Sequence, residues 1–363
     1  MVIESLRIGG KERQALELFK ALQEEPDLDV QVIVLAKKDG SYSLPGNEKG
    51  IHFVGTDTMS PLQICSTIYR FCRDYRPEVL HTWGIMPTLC SFPAAKLMKI
   101  KVLNASIRFA VRFKPFNRKW FAARLSYLFS NMVTANSIAG LRAQGLEGHK
   151  KCHVVYNGFD LERVQIPTVI QDSEVSPKIA TRYVVGMVGS FNDSKDYKTF
   201  VNAASSILRV RKDVTFLCVG EGPNLHAIRA AVPGDYSASI HFTGKLDPVD
   251  SIERMLDVGV LACNTRGHAE GISNTIMEYM AFAKPVIATD SGGNHEIVED
   301  QVTGFLVRAF SADELAAKII TLLDNEELRL KMGKAGRERI AKEFNLSKMA
   351  QGYLGLYHSM LHA

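Results

Sequence analysis

Val184-Val-Gly-Met-Val188, Asp196-Tyr-Lys-Thr-Phe-Val-Asn-Ala-Ala-Ser-Ser-Ile-Leu-Arg-Val-Arg211 and Val214-Thr-Phe-Leu-Cys-Val219 follow one another with only short polar joints between them. The first and third are short β-rich apolar runs, and the middle one repeats its apolar residues at helical spacing. Strand, helix and strand in that order build a parallel sheet with a crossover helix. The alternation continues with a helix over Pro223–Ala231 and strands over Ile240–Thr243, Val258–Cys263, Val286–Ala288 and Phe305–Val307. Residues 182–344 therefore predict one α/β, Rossmann-like domain. Toward the start of the chain, strands near Val30–Leu35, Val79–Thr82, Lys101–Ala105, Met132–Ala135 and His153–Tyr156 predict a second domain over 1–165. Residues 166–181 are polar, contain Pro167 and Pro177, and are expected to be a linker.

The first strand is unusually short. Val2-Ile-Glu-Ser-Leu6 runs straight into Gly9-Gly10, so the expectation is that the chain is truncated or its start codon assigned late. At the other end Leu346, Met349, Tyr353, Leu356, Tyr357 and Met360 recur at helical spacing. A helix over 345–363 with that apolar face needs a surface to cover, and it is expected to cross back onto the first domain.

Composition narrows the class. The 363 residues are 46% hydrophobic, enough for two cores. There is no apolar, charge-free stretch long enough to span a bilayer and no signal-peptide pattern at the start, which predicts a soluble, cytoplasmic protein. The six cysteines form no Cys-x-x-Cys pair and sit mostly in apolar runs, so they are read as reduced core residues. Charge is unevenly placed: residues 1–165 carry 23 Lys or Arg against 15 Asp or Glu, and residues 166–363 carry 21 against 24. No acidic residue occurs from Val79 to Leu146, which points to an anion near the first domain.

The residues with most chemical content are Glu270-Gly-Ile-Ser-Asn-Thr-Ile-Met-Glu278, followed by Tyr-Met-Ala-Phe-Ala-Lys284-Pro285-Val-Ile-Ala288. Glu270 and Gly271 fall in the loop after the strand ending at Cys263, and Ser273 or Asn274 is placed to cap the helix that runs to Ala283. The backbone N–H groups and dipole of a helix start favour a diphosphate, at the carboxyl edge of a parallel sheet where such folds bind ligands. From there Glu270 would reach sugar hydroxyls and Glu278 ribose hydroxyls.

This segment resembles the Glu-x7-Glu motif of the family 4 retaining glycosyltransferases of GT-B fold, also described as glycosyl transferases group 1. The resemblance runs in order along nearly the whole chain. It takes in Gly9-Gly10-Lys-Glu12-Arg13, Val155-Tyr-Asn157-Gly158-Phe-Asp160, Gly189 with Lys195, Val219-Gly220-Glu221-Gly222-Pro223, Phe242-Thr-Gly244 and Ser291-Gly292-Gly293-Asn294-His295-Glu296. It implies two Rossmann-like domains facing a cleft, with a nucleotide diphosphate sugar as donor and a hydroxyl group as acceptor, in cell-surface polysaccharide or glycolipid assembly. Lys195 then becomes a diphosphate contact, Glu270 a donor-sugar contact and Glu278 a ribose contact. The wider donor set is Gly9, Gly10, Gly189, Ser190, Gly220, Gly244, Lys245, Gly271, Ile272, Ser273 and Asn274, with the Gly9-Gly10 loop facing the cleft from the opposite domain.

Two departures stand out. Many members have Arg directly after the glycine at Gly189, where this chain reads Ser190-Phe191-Asn192, and many have a His after the strand over Lys101–Ala105, where it reads Ser106-Ile107-Arg108. Arg108 stays protonated and cannot act as a base. In a retaining reaction on one sugar face the departing diphosphate helps to deprotonate the acceptor, so Lys195, Arg108 and the helix start are expected to stabilise the developing charge. His81, near the end of the strand Val79–Thr82, joins Arg108 as an acceptor-side candidate, with a structural histidine as the alternative. The one Asp-x-Asp, Asp27-Leu28-Asp29, lies apart from the donor motifs, and with no cluster of His and carboxylates neither a metal nor another cofactor is expected.

A last signal is Arg108-Phe-Ala-Val-Arg112-Phe-Lys114-Pro-Phe-Asn-Arg118-Lys119-Trp120-Phe121-Ala-Ala-Arg124, in which six cations interleave with five aromatic rings. It predicts docking on an anionic membrane surface or a lipid-linked acceptor, making the protein peripheral at the inner face. The alternative is that the rings pack into the core. No nucleic-acid module is recognisable. Competing functions are a sugar-nucleotide epimerase or phosphorylase on the same fold, a non-catalytic nucleotide-sugar-binding protein and, less well matched, a glycoside hydrolase.

Overall fold

In the computed structural model, residues 1–36, 49–55, 59–166, 181–246 and 249–362 are described, and the chain divides into two compact units. One comprises Met1–Gly158 with Leu346–Ala363, and the other Phe159–Asn345.

In the first unit, short runs of β-branched and apolar residues form strands β1 (Val2–Ile3), β2 (Val32–Val34), β3 (Ile51–Phe53), β4 (Val79–Trp83), β5 (Lys101–Ile107), β6 (Met132–Ala135) and β7 (Cys152–Val154). The intervening helices are α1 (Gly10–Gln23), α2 (Pro61–Tyr75), α3 (Ile85–Met98), α4 (Arg118–Leu128) and α5 (Ile138–Gln144). Local chemistry starts them. Ser60 and Gln63 form a reciprocal capping box on α2, the Asn117 side chain accepts from the Trp120 N–H, and Ser137 accepts from Gly140 N–H. The strands pair in parallel in the order β3-β2-β1-β4-β5-β6-β7. β1 is only two residues long and nevertheless sits mid-sheet between β2 and β4. The edge strand β3, Ile51-His-Phe53, is half exposed and so short that the sequence reading did not single it out.

The second unit repeats the plan with β8 (Tyr183–Val188), β9 (Val214–Val219), β10 (Ile240–Gly244), β11 (Val258–Leu261), β12 (Val286–Thr289) and β13 (Gly304–Val307). Its helices are α6 (Tyr197–Val210), α7 (Leu225–Ala230), α8 (Asp250–Met255), α9 (Asn274–Ala281), α10 (Asn294–Ile297), α11 (Ala312–Asp324) and α12 (Glu326–Glu343). Here the order is β10-β9-β8-β11-β12-β13, again parallel. Strands β8, β9, β11 and β12 are near-continuous buried, mostly apolar runs, as expected of a parallel sheet covered on both faces. Residues 159–166 belong with this unit, where the Phe159 N–H donates to Phe344 O at 2.8 Å. The expected linker lies almost wholly outside the described residues.

The last helix, α13 (Leu346–Leu361), returns to the first unit. Its Met349, Tyr353 and Met360 are buried in one core with Leu16, Leu18 and Phe19 of α1 and Trp83 of β4. The apolar stripe read in the sequence is this contact. All six cysteines are free.

Candidate functional site

In the second unit the strand order reverses direction between β8 and β11, so the loops leaving these neighbouring strands turn to opposite sides of the sheet. That crevice at the carboxyl edge is where open parallel sheets take ligands. Lys195 lies in the loop after β8 and Glu270 in the loop after β11, and the two meet: Lys195 Nζ donates to Glu270 Oε1 at 2.6 Å. Both side chains are partly buried. Burial alone would lower the Lys195 pKa, but the Glu270 carboxylate outweighs it and holds the ammonium above its ordinary value.

The backbone fixes both loops. Lys195 and Cys263 form an isolated antiparallel bridge, the Asp196 N–H donates to Ala262 O at 2.9 Å, and the Asn264 N–H donates to Ser194 O at 3.0 Å. Asp196 then caps α6 through its carboxylate, which accepts from the Thr199 N–H. Glu270 is held from behind by the Gly292-Gly293 turn, whose Gly293 N–H donates to Glu270 O at 2.9 Å. Gly292 has φ +57°, and a Cβ there would lie 2.1 Å from Glu270 O. Only glycine allows that approach. The Cys263 thiol, beside Lys195, is pushed up to about 11, chiefly by burial, and stays protonated.

The glycines expected to face the donor converge on the same edge. The Gly189 N–H donates to Val219 O at 3.0 Å and the Gly220 N–H to Gly244 O at 2.8 Å, so the ends of β8, β9 and β10 lie side by side. A Cβ on Gly220 would be 2.0 Å from Gly189 O. Tyr197, fully buried, donates from its hydroxyl to Gly189 O and Val219 O at 2.9 Å each and fastens the two loops from below. Ser190 and Lys195 flank Gly189, and Lys245 is exposed just beyond Gly244. Gly271, Ile272 and Ser273 are buried in the turn into α9, which begins at Asn274 without a side-chain cap from Ser273.

Glu278 lies on α9 but is not open to solvent. It is 4% exposed, and Arg163 Nη2 stands 3.3 Å from its Oε1. Arg163 also binds Asp250 of α8, with Nη2 2.6 Å from Oδ1 and Nε 3.3 Å from Oδ2, and rests over the Phe159 ring. This carboxylate–guanidinium–carboxylate triad is the feature that the sequence reading missed. Arg163 follows the Asn157-Gly158-Phe-Asp160 run by three residues, yet nothing in the spacing says that it pairs with a residue 115 positions later.

The first unit treats its candidates differently. Arg108 is 8% exposed, and its guanidinium donates to Ala105 O (3.2 Å), Asn157 Oδ1 (3.1 Å) and the Tyr353 hydroxyl (3.1 Å) while lying 4.1 Å from the centre of the Trp83 ring. His81 is 2% exposed, with Nδ1 2.7 Å from the Tyr357 hydroxyl and its ring against Tyr353 and Trp83. Burial is the main cause of a His81 pKa held well below the ordinary histidine value, and positive charge nearby, including Arg108, adds to it. Arg108 and His81, expected on the catalytic and acceptor side, both lie where α13 packs on β4 and the end of β5, the placement that a structural histidine would also have. Gly9 and Gly10, in the same unit, open α1.

Among the described residues there is no group of three or more His, Cys, Asp or Glu side chains placed to hold a metal, and no helix is long and apolar enough to cross a membrane. Of the five rings of 108–124, Phe113 packs against the core, whereas Phe109 is 61%, Phe116 79% and Phe121 55% exposed.

Comparison with known proteins settles the family. Residues 8–163 match the profile described as Glycosyltransferase Family 4, and residues 182–325 match Glycosyl transferases group 1, together well over half the chain. The chain belongs to the glycosyltransferases. An uncharacterized glycosyltransferase of Methanocaldococcus jannaschii is 20% identical to this glycosyltransferase over 98% of its length and 96% of the relative's. A GDP-mannose-dependent monoacylated alpha-(1-6)-phosphatidylinositol monomannoside mannosyltransferase of Corynebacterium glutamicum is 28% identical, over 56% of this chain and 55% of that one. The crystal structure of Anabaena HepE in complex with UDP and glucose superposes with a TM-score of 0.79 at 17% identity, covering 99% of each chain. The fold is GT-B, built from two Rossmann-like halves.

Proposed function

We propose that this glycosyltransferase moves a sugar from a nucleoside diphosphate sugar to a hydroxyl acceptor with retention of configuration, in glycolipid or cell-surface polysaccharide assembly. The observation that carries the reading is the Lys195–Glu270 pair at the switch point of the second sheet, beside the start of α9. A cation and the N–H groups of a helix start suit a diphosphate, and a carboxylate next to them suits sugar hydroxyls. The UDP and glucose held by HepE and the GDP-mannose used by the Corynebacterium relative support the donor class without choosing the base.

In this reading the acceptor oxygen bonds to the anomeric carbon as the bond from that carbon to the diphosphate breaks, on the same face of the sugar. The acceptor proton passes to the departing diphosphate oxygen. Lys195 stabilises the negative charge that grows on the diphosphate, and the helix start adds to it. Glu270 orients the sugar. Glu278 offers its carboxylate to the ribose diol once Arg163 shares it. The exposed cations and rings of 108–124 suit an acceptor held at an anionic membrane surface, to which the protein would bind peripherally.

A thermal-shift screen against UDP, GDP and ADP tests the donor site directly, since a ligand at 100 times its dissociation constant stabilises a protein by about 2.7 kcal/mol. One of the three is expected to shift unfolding clearly, and the labelled sugar of the matching donor to appear on an acceptor. If none of the three shifts unfolding, the donor site is wrong.

A further inference from the structure

The segment that joins β5 to α4 closes a cavity of about 410 Å³ on the first unit, lined among others by Arg112, Phe113, Trp120, Arg124, Arg142 and Gln144. Its walls are fixed by hydrogen bonds: Arg124 Nη2 donates to Gln144 O at 3.0 Å, and Gln144 Nε2 donates to Val111 O at 2.6 Å. Arg142 pairs bidentately with Glu147, at 2.8 and 2.9 Å. No carboxylate lies within ion-pair distance of Arg112 or Arg124 among the described residues, in keeping with a sequence that has no acid from Val79 to Leu146. Two guanidiniums without a carboxylate partner, around one cavity whose remaining wall is largely apolar, call for a bidentate oxyanion, and phosphate is the one they fit best.

The surroundings say what carries the phosphate. Trp120, in the cavity wall, lies with its ring centre 5.5 Å from that of Phe116 and 5.0 Å from that of Phe121. Phe116, at φ +62°, holds a bulky side chain outward in the left-handed region, where it is 79% exposed. Phe121 and, farther along α4, Leu125 and Leu128 are exposed too. A free phosphate would satisfy the cations and leave this apolar ledge in water. A phosphate at the surface of a bilayer satisfies both.

We propose that the cavity is a binding site for the headgroup phosphate of an anionic glycerophospholipid, with Phe116 and Phe121 settling among the acyl chains beside it. This deepens the membrane part of the functional reading and is independent of the donor site, so each can fail without the other. Sedimentation with phosphatidylcholine vesicles, with and without phosphatidylglycerol, tests it. The wild type is expected to bind only the phosphatidylglycerol vesicles, more tightly at low salt. Arg112→Ser should weaken that binding about fivefold, the loss of one cation at an anionic surface, and Lys96→Ser, the same change outside the cavity, by clearly less. The double variant Phe116→Ser and Phe121→Ser should lose vesicle binding at equal charge. The melting temperature of every variant without ligand should match the wild type, which shows that each is folded whether or not the donor site holds. Equal losses for Arg112→Ser and Lys96→Ser would mean diffuse charge and no site. Binding to neutral vesicles as tight as to anionic ones, or displacement by millimolar inorganic phosphate at constant ionic strength with the rings making no difference, would overturn the lipid assignment.

Discussion

Lys195 and Arg108 occupy comparable places in two similar sheets. One lies in the loop after β8 and the other follows the last residue of β5, and each is a mostly buried cation beyond a parallel strand. Their partners differ. Lys195 meets a single carboxylate in a half-open crevice, so an arriving anion can share or replace its counter-charge. Arg108 is spread over a backbone carbonyl, an amide, a phenol hydroxyl and an indole face, all supplied by its own unit. A cation built to meet a ligand keeps a replaceable partner, whereas one built to hold a fold has its donors used by neutral oxygens.

The sharpest way to break this contrast is to truncate the first pair. Glu270→Ala and Lys195→Ala should each lower turnover by roughly 10²–10³, the usual loss when one charge-stabilising group is removed from an active site. Lys195→Ala should weaken nucleoside diphosphate binding more than nucleoside binding, since the missing charge faces phosphate. Equal weakening of both ligands in a calorimetric titration would put Lys195 on the same footing as Arg108.

Arg108→Ala should act through the fold. Removing it leaves the Tyr353 hydroxyl and Asn157 amide without their donor and opens a gap beside Trp83, and the expected cost is about 2–4 kcal/mol of unfolding free energy. Turnover by the fraction still folded should stay within a few-fold of wild type. A hundredfold loss of turnover with an unchanged melting temperature would make Arg108 a site residue after all. Gly292→Ala sits between these two cases, because its φ and the 2.1 Å approach of a Cβ to Glu270 O tie local strain to the position of a site carboxylate. It should cost about 1–3 kcal/mol and lower turnover while leaving nucleoside binding unchanged, as judged by steady-state kinetics beside a nucleoside titration.

What could be read from sequence follows the range of the forces involved. Strands such as Val214–Val219 and the helix Tyr197–Val210 are encoded by their own periodicity and by the Asp196 cap, and their limits were legible to within a residue or two. β1 was read from Val2–Leu6, but its place in mid-sheet and the existence of the edge strand β3 are set by pairing with distant neighbours. The same holds for the sites. Glu270 and Lys195 could be singled out because they belong to an ordered series of glycines and acids along the chain, and the fold brings the two together. The Arg163 triad and the burial of Arg108 depend on partners 49 to 245 positions away, which residue type alone does not reveal. For the rings of 108–124 residue type left two positions open, the surface and the core, and exposure separates them ring by ring: Phe116 and Phe121 stand outside and Phe113 packs inward.

The smallest expected effect concerns His81, the other buried candidate of the first unit. Its ring is 2% exposed, and its folded-state pKa is held well below the ordinary value of 6.5 by burial first, with nearby positive charge adding to this. The unfolded chain therefore binds a proton at His81 more readily than the folded one. Stability from this group is present in full above about pH 6.5 and declines as pH falls below it, until the folded pKa is reached. The slope is about 1.4 kcal/mol per pH unit for one proton. Denaturant titrations of the wild type between pH 7.5 and 5 should show a decline of that size. His81→Gln, which keeps a polar partner near the Tyr357 hydroxyl but cannot titrate, should start less stable at pH 7.5 and flatten the decline. A His81→Gln profile parallel to that of the wild type would assign the acid sensitivity to other groups and leave His81 free to be an acceptor-side residue that is protonated without cost.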